Sequence, residues 1–177
     1  LFAEENVEEV NEQLDNITTY IFEMLSSSNF NQEVHESFMD LAVGTGIMLV
    51  EEGDAINPIR FSSISLPNAC LMNGPTNKID AVYRKRKCKL NEIEIMYPKA
   101  KVPSEVMSTM NPEKNCTILD AVYRVYDEPN VEKHKHCVIL MDKKTIVLDE
   151  EFEGVGSNPY ICFRWNKASG EVYGRGP

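Results

Sequence analysis

The first part of the chain has the apolar spacing of an amphipathic helix. Apolar residues recur at alternating intervals of three and four, at Val7, Val10, Leu14, Ile17, Ile21 and Met24, which places them on one narrow seam. Serines end this pattern, and a second helix is predicted from Asn31 to Val43, with glycines after it as a stop. Because the break is short, we expect an antiparallel helix pair within residues 1–45.

From Ile47 onward the pattern changes to the short apolar runs of β-strands. The predicted strands cover residues 47–50, 59–64, 79–87, 117–126, 137–141, 145–148 and 160–165. Two short helices are predicted near 90–110, where Pro98 follows the first and Pro103 suits the first turn of the second. The predicted fold class is α+β: an N-terminal antiparallel helix pair followed by a mostly antiparallel β-rich body with two short inserted helices.

A single domain is expected for the 177 residues, which suffice to bury a core without disulfides or a metal. We expect the helix pair at 1–45, the β-rich body at 46–165 and a glycine-rich loop at 166–177. The chain starts at Leu1 without an initiator methionine or a signal peptide and stops abruptly at Pro177. We therefore expect a fragment of a longer protein, with the loop leading to a missing C-terminal part.

One five-residue segment occurs twice. Asp-Ala-Val-Tyr-Arg at residues 80–84 returns at residues 120–124. In a β context this indicates two strands with similar sheet positions, and we expect neighbours that pair tyrosine with arginine. Coincidence is the competing interpretation.

Charge divides the chain into two parts. The net charge is −10, yet residues 1–59 contain 13 acidic residues and no lysine or arginine, while residues 60–177 contain 18 basic and 15 acidic ones. This balance argues against wrapping duplex DNA, and no apolar run approaches the length needed to span a bilayer. Five of the six residues in 84–89 are cations, and we expect an exposed basic strand that pairs with the acidic helices of this chain or of a neighbouring copy.

Candidate chemistry is sparse. His134 and His136 would face the same side of a strand and could share a metal, but two surface histidines in a loop beside a buried Cys137 are favoured. The acidic stretches at 51–54 and 149–153 are predicted to be solvated loops. Five scattered cysteines indicate buried thiols in a reducing cytosol rather than a disulfide framework. No catalytic residue, cofactor or metal site is predicted.

Two stretches resemble the head-to-tail connector (portal) proteins of short-tailed bacteriophages. One is LAVGTGIMLVEEGD at residues 41–54, and the other is FRWNKASGEVYGRGP at residues 163–177. The second is the more specific, because it joins an apolar strand ending in Arg-Trp to Gly-Glu-x-Tyr-Gly-Arg-Gly-Pro. The order of helix pair, glycine turn, β-rich middle and final loop extends the resemblance over nearly the whole chain.

The resemblance implies a structural subunit of a ring, commonly a dodecamer, at the capsid vertex through which phage DNA is packaged and ejected. Such a subunit binds capsid, terminase and tail adaptor proteins, is assembled in the bacterial host cytoplasm and becomes part of the virion. It is not an enzyme and needs no cofactor. The chain would be the outer, wing-like part, upstream of the channel-forming stem and clip.

The structural and interface candidates are aromatic, glycine and arginine residues. Trp165 and Phe163 are expected to be core or interface anchors. The glycines are expected to adopt backbone conformations that other residues avoid, and these are Gly170, Gly174 and Gly176. The arginines are expected to form charge pairs, and these are Arg84, Arg86 and Arg175. If the Trp165 ring is buried in the core, its replacement by alanine is expected to cost about 3–5 kcal/mol.

Two alternative functions stay open at this point. One is a cytosolic metal-dependent enzyme that uses His134, His136 and the carboxylates of 149–153. The other is an acidic protein-binding adaptor that uses the helix pair.

Overall fold

The computed structural model describes residues 4–128 and 130–177. Among these residues there are four α-helices and eight strands, and the elements that were predicted occur in the predicted order. The helices are α1 (Glu4–Ser27), α2 (Phe30–Leu41), α3 (Ile93–Met96) and α4 (Ser104–Thr109). The strands are β1 (Thr45–Glu52), β2 (Ile59–Ser63), β3 (Ala69–Asn73), β4 (Ile79–Lys89), β5 (Asn115–Val125), β6 (Lys133–Leu140), β7 (Thr145–Glu153) and β8 (Tyr160–Arg164). The α+β class with its helix pair and two inserted helices is confirmed.

The strands form two antiparallel sheets. The smaller has the order β2-β1-β8 and the larger the order β3-β4-β5-β6-β7. Strand β3 is absent from the sequence prediction, because it is only five residues long and lies between two turn signals, Pro67-Asn68 and Asn73-Gly74-Pro75. It covers one side of β4 as far as Arg84, which pairs with Ala69.

Strand β7 continues through the acidic stretch at 149–153, so the prediction of a solvated loop there is wrong. The strand is possible because its outward carboxylates face lysines of β6. Lys135 Nζ lies 3.0 Å from Asp149 Oδ1, and Lys133 Nζ lies 3.0 Å from Glu151 Oε2. Cross-strand pairs of opposite charge stabilise a sheet that the sequence pattern alone does not indicate.

Two apolar clusters hold the body together. One joins the two sheets and includes Ile47 of β1, Leu71 of β3 and Val82 of β4. The other lies under α3 and α4 against the larger sheet. Four fully buried residues form its centre: Ile93, Ile118, Val138 and Leu140. Their burial accounts for the two short helices, which cover the apolar face of β4 to β7.

The first helix lies outside both clusters. Helix α2 packs on the smaller sheet, where the Phe30 and Phe61 rings are 5.0 Å apart and the Asn29 side chain donates to the Phe61 carbonyl at 2.7 Å. In α1, by contrast, every side chain from Val7 to Glu23 is exposed, and the seam residues in that range are 45–55% exposed. The predicted seam is therefore present but uncovered. No helix in the described part of the chain is long and apolar enough to cross a membrane.

Candidate functional site

The repeated five-residue segment forms the centre of the larger sheet. Strands β4 and β5 pair antiparallel with Val82 opposite Val122. Two identical segments aligned antiparallel about their central residue bring the last residue of one opposite the first of the other. Arg84 accordingly faces Asp120, and Tyr83 faces Ala121. The prediction of neighbouring strands is confirmed, but the predicted tyrosine–arginine pairing is wrong.

A row of buried and half-buried polar side chains starts from this pair. Arg84 Nη2 donates to Asp120 Oδ2 at 2.7 Å, and the Tyr97 hydroxyl donates to the same oxygen at 2.8 Å. His136 Nε2 lies 2.9 Å from Asp120 Oδ1, and its Nδ1 lies 3.2 Å from Glu150 Oε1. We call these residues, Arg84, Tyr97, Asp120, His136 and Glu150, the charge row.

Hydrogen bonding in the charge row controls its protonation. Burial alone would lower the pKa of His136, but hydrogen bonds and charge from Asp120 and Glu150 outweigh burial and raise it. Burial would raise the pKa of Asp120, but His136, Arg84 and Tyr97 hold it below its usual value. Burial raises the pKa of Tyr97 to about 12. The row therefore holds an ionised Asp120 among donors, an arrangement that fixes strands and the segment after α3 to one another.

The two histidines lie in β6, and the prediction of two surface histidines in a loop is wrong. The strand begins at Lys133, four residues before the predicted start at Cys137. His134 is 2% exposed, its Nδ1 lies 2.8 Å from Ser157 Oγ, and burial lowers its pKa. His136 has both ring nitrogens against carboxylates, so neither is open to a metal. Within the described ranges no group of three or more His, Cys, Asp or Glu side chains is placed to hold a metal ion.

The thiol with most local positive charge is also buried. Cys88 is 7% exposed, and its Sγ lies 3.9 Å from Sγ of Cys116 on the paired strand. Burial raises the pKa of the Cys88 thiol to about 12. A protonated, buried thiol is a poor nucleophile. The burial of Cys88 also differs from the exposed strand that the sequence predicts at this position.

Only part of the predicted basic strand is exposed. Arg84 belongs to the charge row, and Lys89 pairs with Glu113 at 2.7 Å. Lys85, Arg86 and Lys87 form no ion pair with any described residue and line a groove of about 740 Å³ between the sheets, together with Arg60. The groove is open because β3 begins at Ala69, opposite Arg84, so the residues of β4 after Arg84 have no strand partner on that side among the described residues. We call it the basic groove.

The two stretches that carry the family resemblance meet in space. Gly174 N donates to Thr45 Oγ1 at 2.8 Å, and Trp165 N donates to the Gly44 carbonyl at 3.0 Å. A Cβ at Gly174 would lie 2.2 Å from the Gly44 carbonyl oxygen, so the two backbones approach each other closely only because both residues are glycine. We call this contact between residues 41–46 and 170–177 the motif junction.

The remaining candidate residues surround the motif junction. Trp165 is 55% exposed, so the expectation that it is a core anchor is wrong: β8 ends at Arg164, and the tryptophan leaves the sheet. Phe163 is half-buried. Gly170 has a φ of 81°, and the Arg175 guanidinium pairs with Glu171, with Nε at 3.0 Å from Oε2. A Cβ at Gly176 would lie 2.5 Å from the Ala42 carbonyl oxygen.

Sequence reasoning overlooked the charge row and the basic groove. The repeated segment could have revealed the Arg84–Asp120 pair, because an antiparallel alignment of its two copies places Arg84 opposite Asp120. Nothing in the sequence signals the groove, because the groove depends on where β3 begins along β4.

A comparison with protein families identifies the family of the chain. A family model described as bacteriophage head to tail connecting protein matches residues 2–177. A search of curated proteins found no match. The matched range contains both stretches of the motif junction.

Proposed function

This chain belongs to the family of bacteriophage head to tail connecting proteins, structural components of the virion that assemble with head and tail proteins, and from that membership we propose that it is part of a ring-forming portal subunit. In the full-length protein the ring is a dodecamer at the capsid vertex, through which double-stranded DNA is packaged and ejected. Its partners are the capsid, the terminase and tail adaptor proteins. The family match over residues 2–177 is the observation that carries the proposal.

Unpartnered surfaces on the body support self-association. Helix α1 is exposed along most of its length, and two lysines of the basic groove, Lys85 and Lys87, form no ion pair with any described residue. The two surfaces differ, so contact between them is heterologous, and repeated heterologous contacts close into a ring when the rotation permits. A ring needs no pocket for a small molecule.

The motif junction supports a role for Trp165 as an interface anchor. The tryptophan is 55% exposed, and Val43, next to the glycine that accepts its backbone hydrogen bond, is 73% exposed. Tryptophan is one of the residues that contribute most to protein interfaces. We propose that this corner is covered in the assembled ring.

The net charge of −10 suits a protein past which DNA moves. Phosphate binding depends on many lysine and arginine contacts. An acidic surface avoids that retention and lets DNA pass without tight binding.

Size measurement of the full-length subunit tests the proposal. Mass photometry is expected to show one closed species with the mass of a dodecamer. We expect Trp165→Ala to weaken this assembly about tenfold or more, as loss of an interface hot spot does. The melting temperature of the monomer should stay nearly unchanged, because the indole side chain is largely exposed in the monomer. A protein that stays monomeric at all concentrations contradicts the proposal, and capture of a different partner by α1 without self-assembly favours the adaptor function.

A further inference from the structure

The acidic residues of α1 lie together on one face. Glu8, Glu12 and Asp15 follow one another at intervals of four and three residues, which puts them on the side of the helix opposite the apolar seam. All three are exposed, and none has a hydrogen-bond or ion-pair partner among the described residues. This face is a line of charge that the body of its own chain does not neutralise.

The basic groove presents a line of positive charges, as the acidic face of α1 presents a line of negative ones. Lys85 and Lys87 are exposed, and the guanidinium of Arg86 between them donates to the Tyr97 hydroxyl at 3.5 Å. Two residues along a strand span about 7 Å. The rise from Glu8 to Glu12 along a helix is about 6 Å, so successive carboxylates of α1 match successive lysines of β4.

We propose that the acidic face of α1 of one subunit docks in the basic groove of the neighbouring subunit. This inference rests on the proposed ring and identifies the surfaces that form its lateral contact. Because helix and groove are different surfaces, each subunit donates one and receives the other, as ring closure requires. Charge complementarity also fixes the direction of assembly.

A second copy is a better occupant than the other possibilities on two grounds. The α1 helix of the same chain leaves Val7 to Glu23 exposed, so it does not fill its own groove. Nucleic acid is disfavoured because Glu51 shares the lining of the groove and the chain as a whole is acidic.

Charge reversal in the full-length protein tests the contact. Lys85→Glu with Lys87→Glu, and separately Glu8→Lys with Glu12→Lys, are each expected to weaken ring assembly about a hundredfold or more, because like charges then face each other. A mixture of the two variants is expected to recover assembly as rings of alternating subunits, because the helix of each variant then meets a groove of opposite charge in the other. A chain carrying all four substitutions is also expected to recover assembly. In the parent protein, assembly is expected to weaken as salt rises.

Matched controls separate this contact from a general effect of charge. Lys114→Glu with Lys143→Glu and Glu105→Lys with Glu128→Lys make the same changes of net charge on exposed residues outside both surfaces, and they are expected to assemble normally. Normal rings from both charge-reversed variants overturn the inference while the ring proposal stands, and no ring from the parent overturns both. Loss of DNA retention with intact rings would assign the groove to nucleic acid.

Discussion

At the scale of single residues, the charge row is the most constrained part of the molecule. Asp120 is 2% exposed and receives hydrogen bonds from the Arg84, Tyr97 and His136 side chains. A buried charge costs free energy unless its partners satisfy it. Each member of the row therefore depends on the others, and the removal of one leaves the rest uncompensated.

Replacement of Asp120 by asparagine is expected to lower the free energy of unfolding by about 3–5 kcal/mol, because the buried Arg84 guanidinium loses its counter-ion. Urea denaturation measures the loss. Asp149→Asn is the control, since that carboxylate pairs with Lys135 at the exposed edge of the sheet and should change stability little. Equal effects of the two substitutions would show that the Asp120 pair does not stabilise the fold.

The pKa of His136 is expected to lie above 6.5 in an NMR titration of the folded protein, because Asp120 and Glu150 favour its charged form. When the pKa of His136 is higher in the folded than in the unfolded protein, the charged histidine stabilises the fold. This stabilisation is fully present at a pH below the unfolded-state pKa, and it is lost as the pH rises through the folded-state pKa. The stability advantage of the parent over His136→Gln should therefore shrink as the pH rises above 6.5. An advantage that grows over this range would contradict the assignment.

At the scale of elements, local pattern predicts what local interactions determine. Alternating and helical apolar spacings predict most strands and both helix groups, because each element has one apolar face to bury. Strand β3 and the second half of β7 escape prediction because their stability comes from neighbours: Ala69 pairs with Arg84, and Asp149 with Lys135. The charge row escapes for the same reason, since Arg84 and Asp120 meet only through the register of β4 and β5.

The motif junction offers a test at this scale. Gly174→Ala is expected to lower the free energy of unfolding by about 1–3 kcal/mol, since the new Cβ overlaps the Gly44 carbonyl and forces the two segments apart. Thermal or urea unfolding measures the change. Ser169→Ala in the same loop is the control, because that side chain is exposed; an equally stable Gly174→Ala variant would mean that the close approach is not required.

At the scale of the whole molecule, charge is separated between two exposed surfaces. Residues 1–59 lack lysine and arginine, and the structure places the acidic residues of α1 away from the body, with the basic groove between the sheets. Sequence composition indicates this separation and the idea of a lateral charge contact. It does not indicate which cations lack a partner, because Arg84 and Lys89 form ion pairs within the chain, whereas Lys85 and Lys87 form none with the residues that the structure describes.

Electron cryomicroscopy of the assembled full-length subunit tests the central claim most directly. The account predicts a closed ring with a single rotational axis, in which α1 of each subunit lies against β4 of the next and Trp165 is covered. Particles with two-fold related subunits, or a ring in which both α1 and the basic groove face solvent, would contradict it.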